Sequence, residues 1–392
     1  MNDAAEDSRS ARDPYPAYAV MRAECPVQAV ASGSGGRHSY LVTGYAEARQ
    51  VLGDERLSKD TAAFFAGKDS KRRLHPAVAH NMLAGDPPRH TRLRKLVTGA
   101  FTSGAVDGLR PFITRLTDEL LDRWAVGGPV DLVAGLAVPL PVMVICELLG
   151  VPETDRPKVQ HWSAELFAAG EPGRTDAASY AVAEYMTGLI ASKRLHPGDS
   201  LLDRLVFGRD GEDRLTEEEL VSLAVLLLVA GHETTTHFLG NAALALLRHP
   251  AELARLRSDP EAIPQALDEL LRFDAPVSTS TFRFTTEAIT LGDTEIPAGV
   301  PVLVALGAAN RDPERFPAPD LLDLDRNATG HLSFGHGIHR CVGAPLAKAE
   351  AHIALHAILT RFPDIRLAVS ADRLDWRRTR LVRGLESLPV LL

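Results

Sequence analysis

From Thr216 to Leu247 the chain runs for 32 residues without a proline. Thr216-Glu217-Glu218-Glu219 opens this stretch as a capping box, in which the threonine hydroxyl and the third glutamate satisfy backbone N–H groups. Arg248-His249-Pro250 closes it, since a proline cannot continue the hydrogen-bond ladder. At ~1.5 Å per residue such a helix is about 50 Å long, enough to cross a whole domain. It is apolar nearly all round, so other elements must pack on every side of it. Its apolar run is interrupted at the centre by Gly231-His232-Glu233-Thr234-Thr235-Thr236-His237, a polar, weakly helix-forming patch placed where burial should be deepest. A local rule broken at that depth points to function.

The remaining composition supplies a core for that helix to cross. Of 392 residues, 45% are hydrophobic and 24% charged, which is the range of a globular protein and not of a disordered or disulfide-stapled chain. Lys+Arg 43 against Asp+Glu 51 gives a net charge of −8, which disfavours wholesale nucleic-acid binding. Cys25, Cys146 and Cys341 are few and widely spaced, the usage of a reducing compartment. Met1-Asn2-Asp3-Ala4-Ala5-Glu6-Asp7 has neither the basic nor the apolar segment of a secretory signal. The uncharged runs beside Glu233 fall short of the ~20 apolar residues of a spanning helix. A cytoplasmic protein without a membrane anchor is therefore expected.

No repeat or linker divides the chain, so residues 1–392 read as one domain. Its first half has helical periodicity, as in the stripe Ile113, Leu116, Leu120, Leu121 and Trp124. Residues 281–305 alternate in character around Gly292-Asp293 and Pro297-Ala298-Gly299, which predicts short antiparallel strands. Residues 310–333 are rich in Pro and Asp and read as an ordered loop, and a last helix follows Cys341. The fold class is mainly α with small β-sheets.

Several groups carry candidate chemistry. A carboxylate at Glu233, inside an apolar helix, is costly unless hydrogen-bonded, protonated or facing water, so its face is expected to line a cavity. The bland alternative is that Thr234, Thr235 and Thr236 bond back to preceding carbonyls and bend the helix. His232-Glu233 and His237 resemble a zinc-hydrolase motif, but the histidines are five apart instead of four, which turns them to different faces. Glu269 and Arg272 share a helical face at i, i+3. Ser333-Phe334-Gly335-His336-Gly337-Ile338-His339-Arg340-Cys341-Val342-Gly343 sets one cysteine between glycines just before a helix, where backbone N–H groups favour a thiolate able to bind iron. A buried structural cysteine like Cys146, or a zinc site built from His331, His336, His339 and Cys341, is the alternative.

The Cys341 loop closely resembles the cytochrome P-450 family, whose haem signature F-x-x-G-x-x-x-C-x-G is matched by Phe334, Gly337, Cys341 and Gly343. A-G-x-[DE]-T follows as Ala230-Gly231-His232-Glu233-Thr234, and E-x-x-R as Glu269 and Arg272. With Asp86-Pro87-Pro88-Arg89-His90-Thr91-Arg92-Leu93-Arg94 and Arg283, the resemblance covers nearly the whole chain and looks like a soluble bacterial-type member.

The resemblance implies the cytochrome P-450 fold with a long helix across haem b, and Cys341 as the proximal thiolate ligand of its iron. It implies that His90, Arg94, Arg283 and His339 hold the two propionates, that Phe334, Gly343 and Gly231 also belong to the haem-binding residues, and that Gly231 lets the helix open beside the iron. Glu233 and Thr234 match the family's acid–alcohol pair, which relays protons to dioxygen. The implied activity is a monooxygenase that hydroxylates a mid-sized hydrophobic metabolite such as a polyketide, macrolide, terpenoid or steroid. Electrons would come from NAD(P)H through a ferredoxin reductase and a ferredoxin, with Arg89, Arg92, Arg94, Lys95 and Lys348 as a docking patch. Substrate contacts would come from Phe64, Phe65, Met82, Leu83, Val229, Ala230, Val277 and Leu385. One departure stands out: the family usually carries a basic residue where this chain has Leu321, so Arg326 or a backbone carbonyl must complete the Glu269–Arg272 pair. A haem protein that only binds or senses gas would keep the Cys341 loop without needing Glu233-Thr234, and a zinc hydrolase would contain no haem.

Overall fold

A computed structural model describes residues 12–31, 38–66, 73–124, 127–167, 172–208, 214–377, 379 and 381–392. The acidic N-terminal segment, Met1 to Asp7, lies outside them. The principal helices are α1 (Arg89–Thr98), α2 (Arg110–Leu121), α3 (Pro139–Leu149), α4 (Pro172–Leu195), α5 (Glu217–Arg248), α6 (Ile263–Phe273) and α7 (Ala344–Arg361).

α5 starts at the expected capping box, where Thr216 Oγ1 accepts from the Glu219 N–H and Glu219 accepts from the Thr216 N–H. It runs through its centre without a break, as its length and lack of proline predict. Two polar side chains of its centre bond to the helix's own carbonyls without disturbing the ladder: His232 Nδ1 sits 2.9 Å from Leu228 O, and Thr234 Oγ1 donates to Ala230 O at 3.3 Å. α3, α4 and α7 pack around α5, and α2 and α6 pack on α7. Gly231 serves this packing, because a Cβ there would lie 2.8 Å from Ile145 Cδ1 of α3. The structure thus gives Gly231 a role in helix–helix approach, and no opening of the helix occurs there. α5 is long and apolar enough to cross a membrane, but 78% of its most apolar window is buried inside the fold.

The sheets are small. β1 (Val27–Ala31), β2 (His38–Val42) and β8 (Val302–Val304) form one; β4 (Val130–Asp131), β10 (Pro389–Leu391) and β9 (Arg366–Leu367) form another. β3 (Leu57–Ser58) pairs with β5 (Phe284–Thr285), and β6 (Ile289–Leu291) with β7 (Thr294–Ile296). The β6–β7 hairpin is antiparallel as predicted, but β8 runs parallel to β2, with Tyr40 opposite Val302. Periodicity along residues 281–305 gave the strands but not this pairing, because the partner lies near the N-terminus. Residues 310–333 form turns and bends without helix or strand, and the Asn310 side chain binds Ser333 Oγ at 2.8 Å and the Leu332 N–H at 2.6 Å. That bridge seats the loop leading to Cys341.

Candidate active site

The Cys341 loop is built by glycine geometry. Gly335 and Gly337 adopt φ +72° and +69°, and a Cβ at Gly337 would meet Leu52 O at 2.6 Å, so only glycine fits that turn. The Cys341 N–H donates to Phe334 O at 2.8 Å, which folds the loop back before α7 begins at Ala344. Cys341 is exposed on a cavity of about 300 Å³. Burial pushes its thiol pKa up, while the Gly343 and Ala344 N–H groups, Arg94 and Arg340 favour the thiolate. Burial prevails, so a coordinated metal is what would keep the sulfur deprotonated.

Basic groups crowd one wall of the same cavity. The His90 and His339 rings are 4.1 Å apart, and Arg94 and Arg283 face inward with His339. Lys59, buried and bonded to Thr281 Oγ1, joins them. All five side chains are pushed toward their neutral forms: burial and the positive charges of its neighbours bring His339 down to about 2, and burial lowers Arg283 to about 10. Asp86, the acid that offsets them, already binds Ser58 Oγ and the Lys59 N–H. His90 Nδ1 and Arg283 Nε are buried with no hydrogen-bond partner. Buried donors and mutually repelling cations are the chemistry of a site for paired carboxylates. Lys59 is a member that sequence reading missed, because a lone lysine after a short strand carries no spacing signal.

Thr234 and Gly231 of α5 line the cavity opposite this wall, with Ala230, Met82, Leu83 and Val277. Glu233 does not share this position. Its side chain turns away from the cavity, with Oε2 at 3.2 Å from His237 Nε2 and 3.2 Å from Arg377 Nη1. Burial alone would raise its pKa, but His237, His232 and Arg377 outweigh burial and hold it low. The expectation that the acid lines the cavity is corrected: a charged partner, not water, keeps it ionised. Glu350 of α7 also borders the cavity, and burial raises its pKa far above the usual carboxylate range.

Other expected contacts divide. Phe64 and Phe65 stack with Phe282 (4.8 and 5.7 Å between centroids) outside the cavity lining, Leu385 belongs to the main core, and Val382 takes the place expected of it. Val229 packs on the core. In the predicted docking patch, Arg94 faces the cavity, Arg92 pairs with Glu219, and Lys348 pairs with Asp268. Glu269 and Arg272 are fully buried and joined at 2.6 Å, and both expected substitutes for the missing base are present: Arg326 binds Glu269, and Arg272 donates to the Pro319 and Leu321 carbonyls. Among the described residues no three His, Cys, Asp or Glu side chains gather as metal ligands. One cysteine facing a largely apolar cavity with a cationic wall suits a haem.

Comparison with known proteins agrees. The profile of the family described as cytochrome P-450 matches residues 184–365. Cytochrome P-450 107B1 of Saccharopolyspora erythraea is 49% identical over 98% of this chain and 96% of its own. The 6-deoxyerythronolide B hydroxylase of the same organism is 43% identical over 97% of this chain and 96% of its own. The tirandamycin C-bound P-450 monooxygenase TamI superposes with a TM-score of 0.91 at 46% identity, covering 98% of both chains. With its cysteine loop, cationic wall and central helix arranged around one cavity, this chain belongs to the cytochrome P-450 family and is a monooxygenase of that family.

Proposed function

We propose that the enzyme hydroxylates a mid-sized hydrophobic secondary metabolite of polyketide, macrolide, terpenoid or steroid type. The observation that carries this reading is that Cys341, the cationic wall and Thr234 all open on one largely apolar cavity. Relatives named for 6-deoxyerythronolide B and solved with tirandamycin C support a substrate of that size and polarity. Cys341 would ligate haem b, and Lys59, His90, Arg94, Arg283 and His339 would hold its propionates. Residues 1–392 act as one cytoplasmic domain. NAD(P)H supplies electrons through a ferredoxin reductase and a ferredoxin.

When bound, the haem supplies dioxygen activation, favoured by electron density from the thiolate. Substrate R–H, O2, two electrons and two protons give R–OH and water. The chain's own contribution is to bind and to move protons. Met82, Leu83, Ala230 and Val277 hold apolar substrate against the cavity wall and exclude water. The Thr234 hydroxyl, now donating to Ala230 O, hands protons into the cavity, and Glu233 resupplies it.

The test is the spectrum of the reduced, carbon monoxide-treated protein before and after Cys341→Ser. A red-shifted Soret band lost in the variant supports the ligand assignment; an unchanged band refutes it. Screening hydrophobic metabolites for spectral shifts and for product heavier by one oxygen atom then tests the substrate class.

A further inference from the structure

Glu233 is held away from Thr234 by two side chains that meet at one point. His237 Nε2 and Arg377 Nη1 each lie 3.2 Å from Glu233 Oε2, and they are 3.4 Å from each other. A single imidazole nitrogen therefore faces a carboxylate and a guanidinium together. When protonated, Nε2 donates to Glu233; when bare, it accepts from Arg377. The side chains of His237 and Glu233 are 2% and 6% exposed, but Arg377 is 20% exposed and stands 4.0 Å from Glu386, which is 59% exposed. The network thus runs from the buried acid to the surface.

The C-terminal segment fixes this arrangement. Asn241 Nδ2 donates to Arg383 O at 3.0 Å, and the Arg377 N–H donates to Gly384 O at 2.9 Å. Gly384 passes so close to the imidazole that a Cβ would lie 2.0 Å from His237 Nδ1. Any side chain at 384 would displace the ring.

We propose that His237 is the proton donor that recharges Glu233 from solvent, and that Arg377 is the latch holding the carboxylate off the cavity between transfers. This rests on the reading of Glu233 and Thr234 as the acid–alcohol pair. His237 Nε2–H gives its proton to Glu233 Oε2, and the bare Nε2 then accepts from Arg377 Nη1. The neutral acid, freed from its ion pair, turns toward Thr234 and yields the proton there. His237 regains a proton from water at the Arg377–Glu386 edge, so only N–H and O–H bonds change. Among the described residues, the charged and titratable groups facing His237 are Glu233 and His232 on α5 and Arg377 from the C-terminal segment, with Glu386 beyond it. A guanidinium only donates hydrogen bonds, and His232 is tied to Leu228 O. Histidine is the side chain that changes charge near neutrality.

The experiment uses the haem-loaded enzyme with His237→Gln, which keeps a hydrogen-bonding group but cannot titrate. Product formed per O2 consumed is expected to fall about tenfold, and its dependence on pH between about 6 and 8 to flatten. A second readout is NMR of 13C-labelled histidine in the reduced, carbon monoxide-bound protein. The His237 resonance should titrate, its midpoint moving down in Glu233→Gln and up in Arg377→Gln. Wild-type coupling and pH profile in His237→Gln, or a His237 resonance that does not titrate, overturns the proposal. Should His237→Gln fail to hold haem, Arg377→Gln decides: a raised midpoint supports the latch and an unmoved one refutes it. Glu233→Gln separates the two levels. Normal coupling in that variant refutes the acid–alcohol reading itself, whereas lost coupling there beside a normal His237→Gln refutes only the role of His237.

Discussion

Arg326 Nε lies 3.2 Å from Glu269 Oε1, on a carboxylate that Arg272 already grips through Nε at 2.6 Å and Nη2 at 2.8 Å. The acid thus has two guanidinium partners although position 321 is leucine. Leu321 itself is 64% exposed, and only its carbonyl takes part, accepting from Arg272 Nη2 at 3.3 Å. The charge was relocated along the chain, and the segment folds so that Arg326 reaches back.

Arg326→Leu is therefore expected to destabilise the protein by about 1–3 kcal/mol, the cost of leaving buried acceptors short of a charged donor. Arg272→Leu should cost more, about 3–5 kcal/mol, because it strands a fully buried carboxylate. Urea unfolding of the two variants, with haem retention measured alongside, checks both the order and the size. An Arg326 variant as stable as wild type would mean the Arg272 pair needs no third partner.

Thr234 lines the cavity from α5, as Thr235 does, and its hydroxyl donates to Ala230 O at 3.3 Å. Thr234→Ala is expected to leave O2 consumption and the carbon monoxide band intact while product per O2 falls by about tenfold. Thr234→Ser, which keeps the hydroxyl, should recover most of the loss. Equal coupling in the alanine variant would place proton delivery elsewhere, and the cavity-lining Glu350 would be the next group to change.

These sites differ in how far the sequence disclosed them. The capping box at Thr216, the continuity of α5 to Arg248 and the cysteine loop were legible because each depends on local spacing. The direction of Glu233 was not. The partner that turns it, Arg377, lies in an irregular C-terminal segment, and no periodicity relates it to α5. His237 was visible but was weighed only as a metal ligand against His232, whereas at i+4 it is the neighbour of Glu233. Gly231 was read for flexibility and turned out to make room for Ile145, a contact only the packing reveals.

Lys59 carries a prediction with two opposite signs. Its ammonium is buried among Arg283, His339, His90 and Arg94, so burial and like charge both disfavour its charged form. Lys59→Met removes that repulsion and should raise the unfolding midpoint of haem-free protein. The same change removes a cation from the propionate wall, so haem should leave the variant about tenfold faster, as expected for one lost charge-assisted hydrogen bond. Thermal unfolding of the haem-free protein and haem transfer to an apoglobin acceptor measure the two effects. Matching signs in both assays would remove Lys59 from the wall.

The acid limit of stability should depend on Asp203, far from the cavity. Burial alone would raise its pKa, but Lys193 Nζ at 2.8 Å, the Ser200 hydroxyl and the Gly198 N–H overcome burial and bring it from the ordinary 3.8 to about 2. Because the folded pKa is the lower one, the unfolded chain binds the extra proton between these values. The stabilisation is therefore complete above about pH 4 to 5 and is lost as pH falls toward 2. Asp203→Asn keeps the shape but not the charge, so it should be less stable than wild type from pH 7 down to about pH 5, with the difference shrinking as the pH falls further. Unfolding midpoints measured from pH 7 down to pH 3 test this, and a difference that stays constant with pH would show that Asp203 acts through packing and not through its charge.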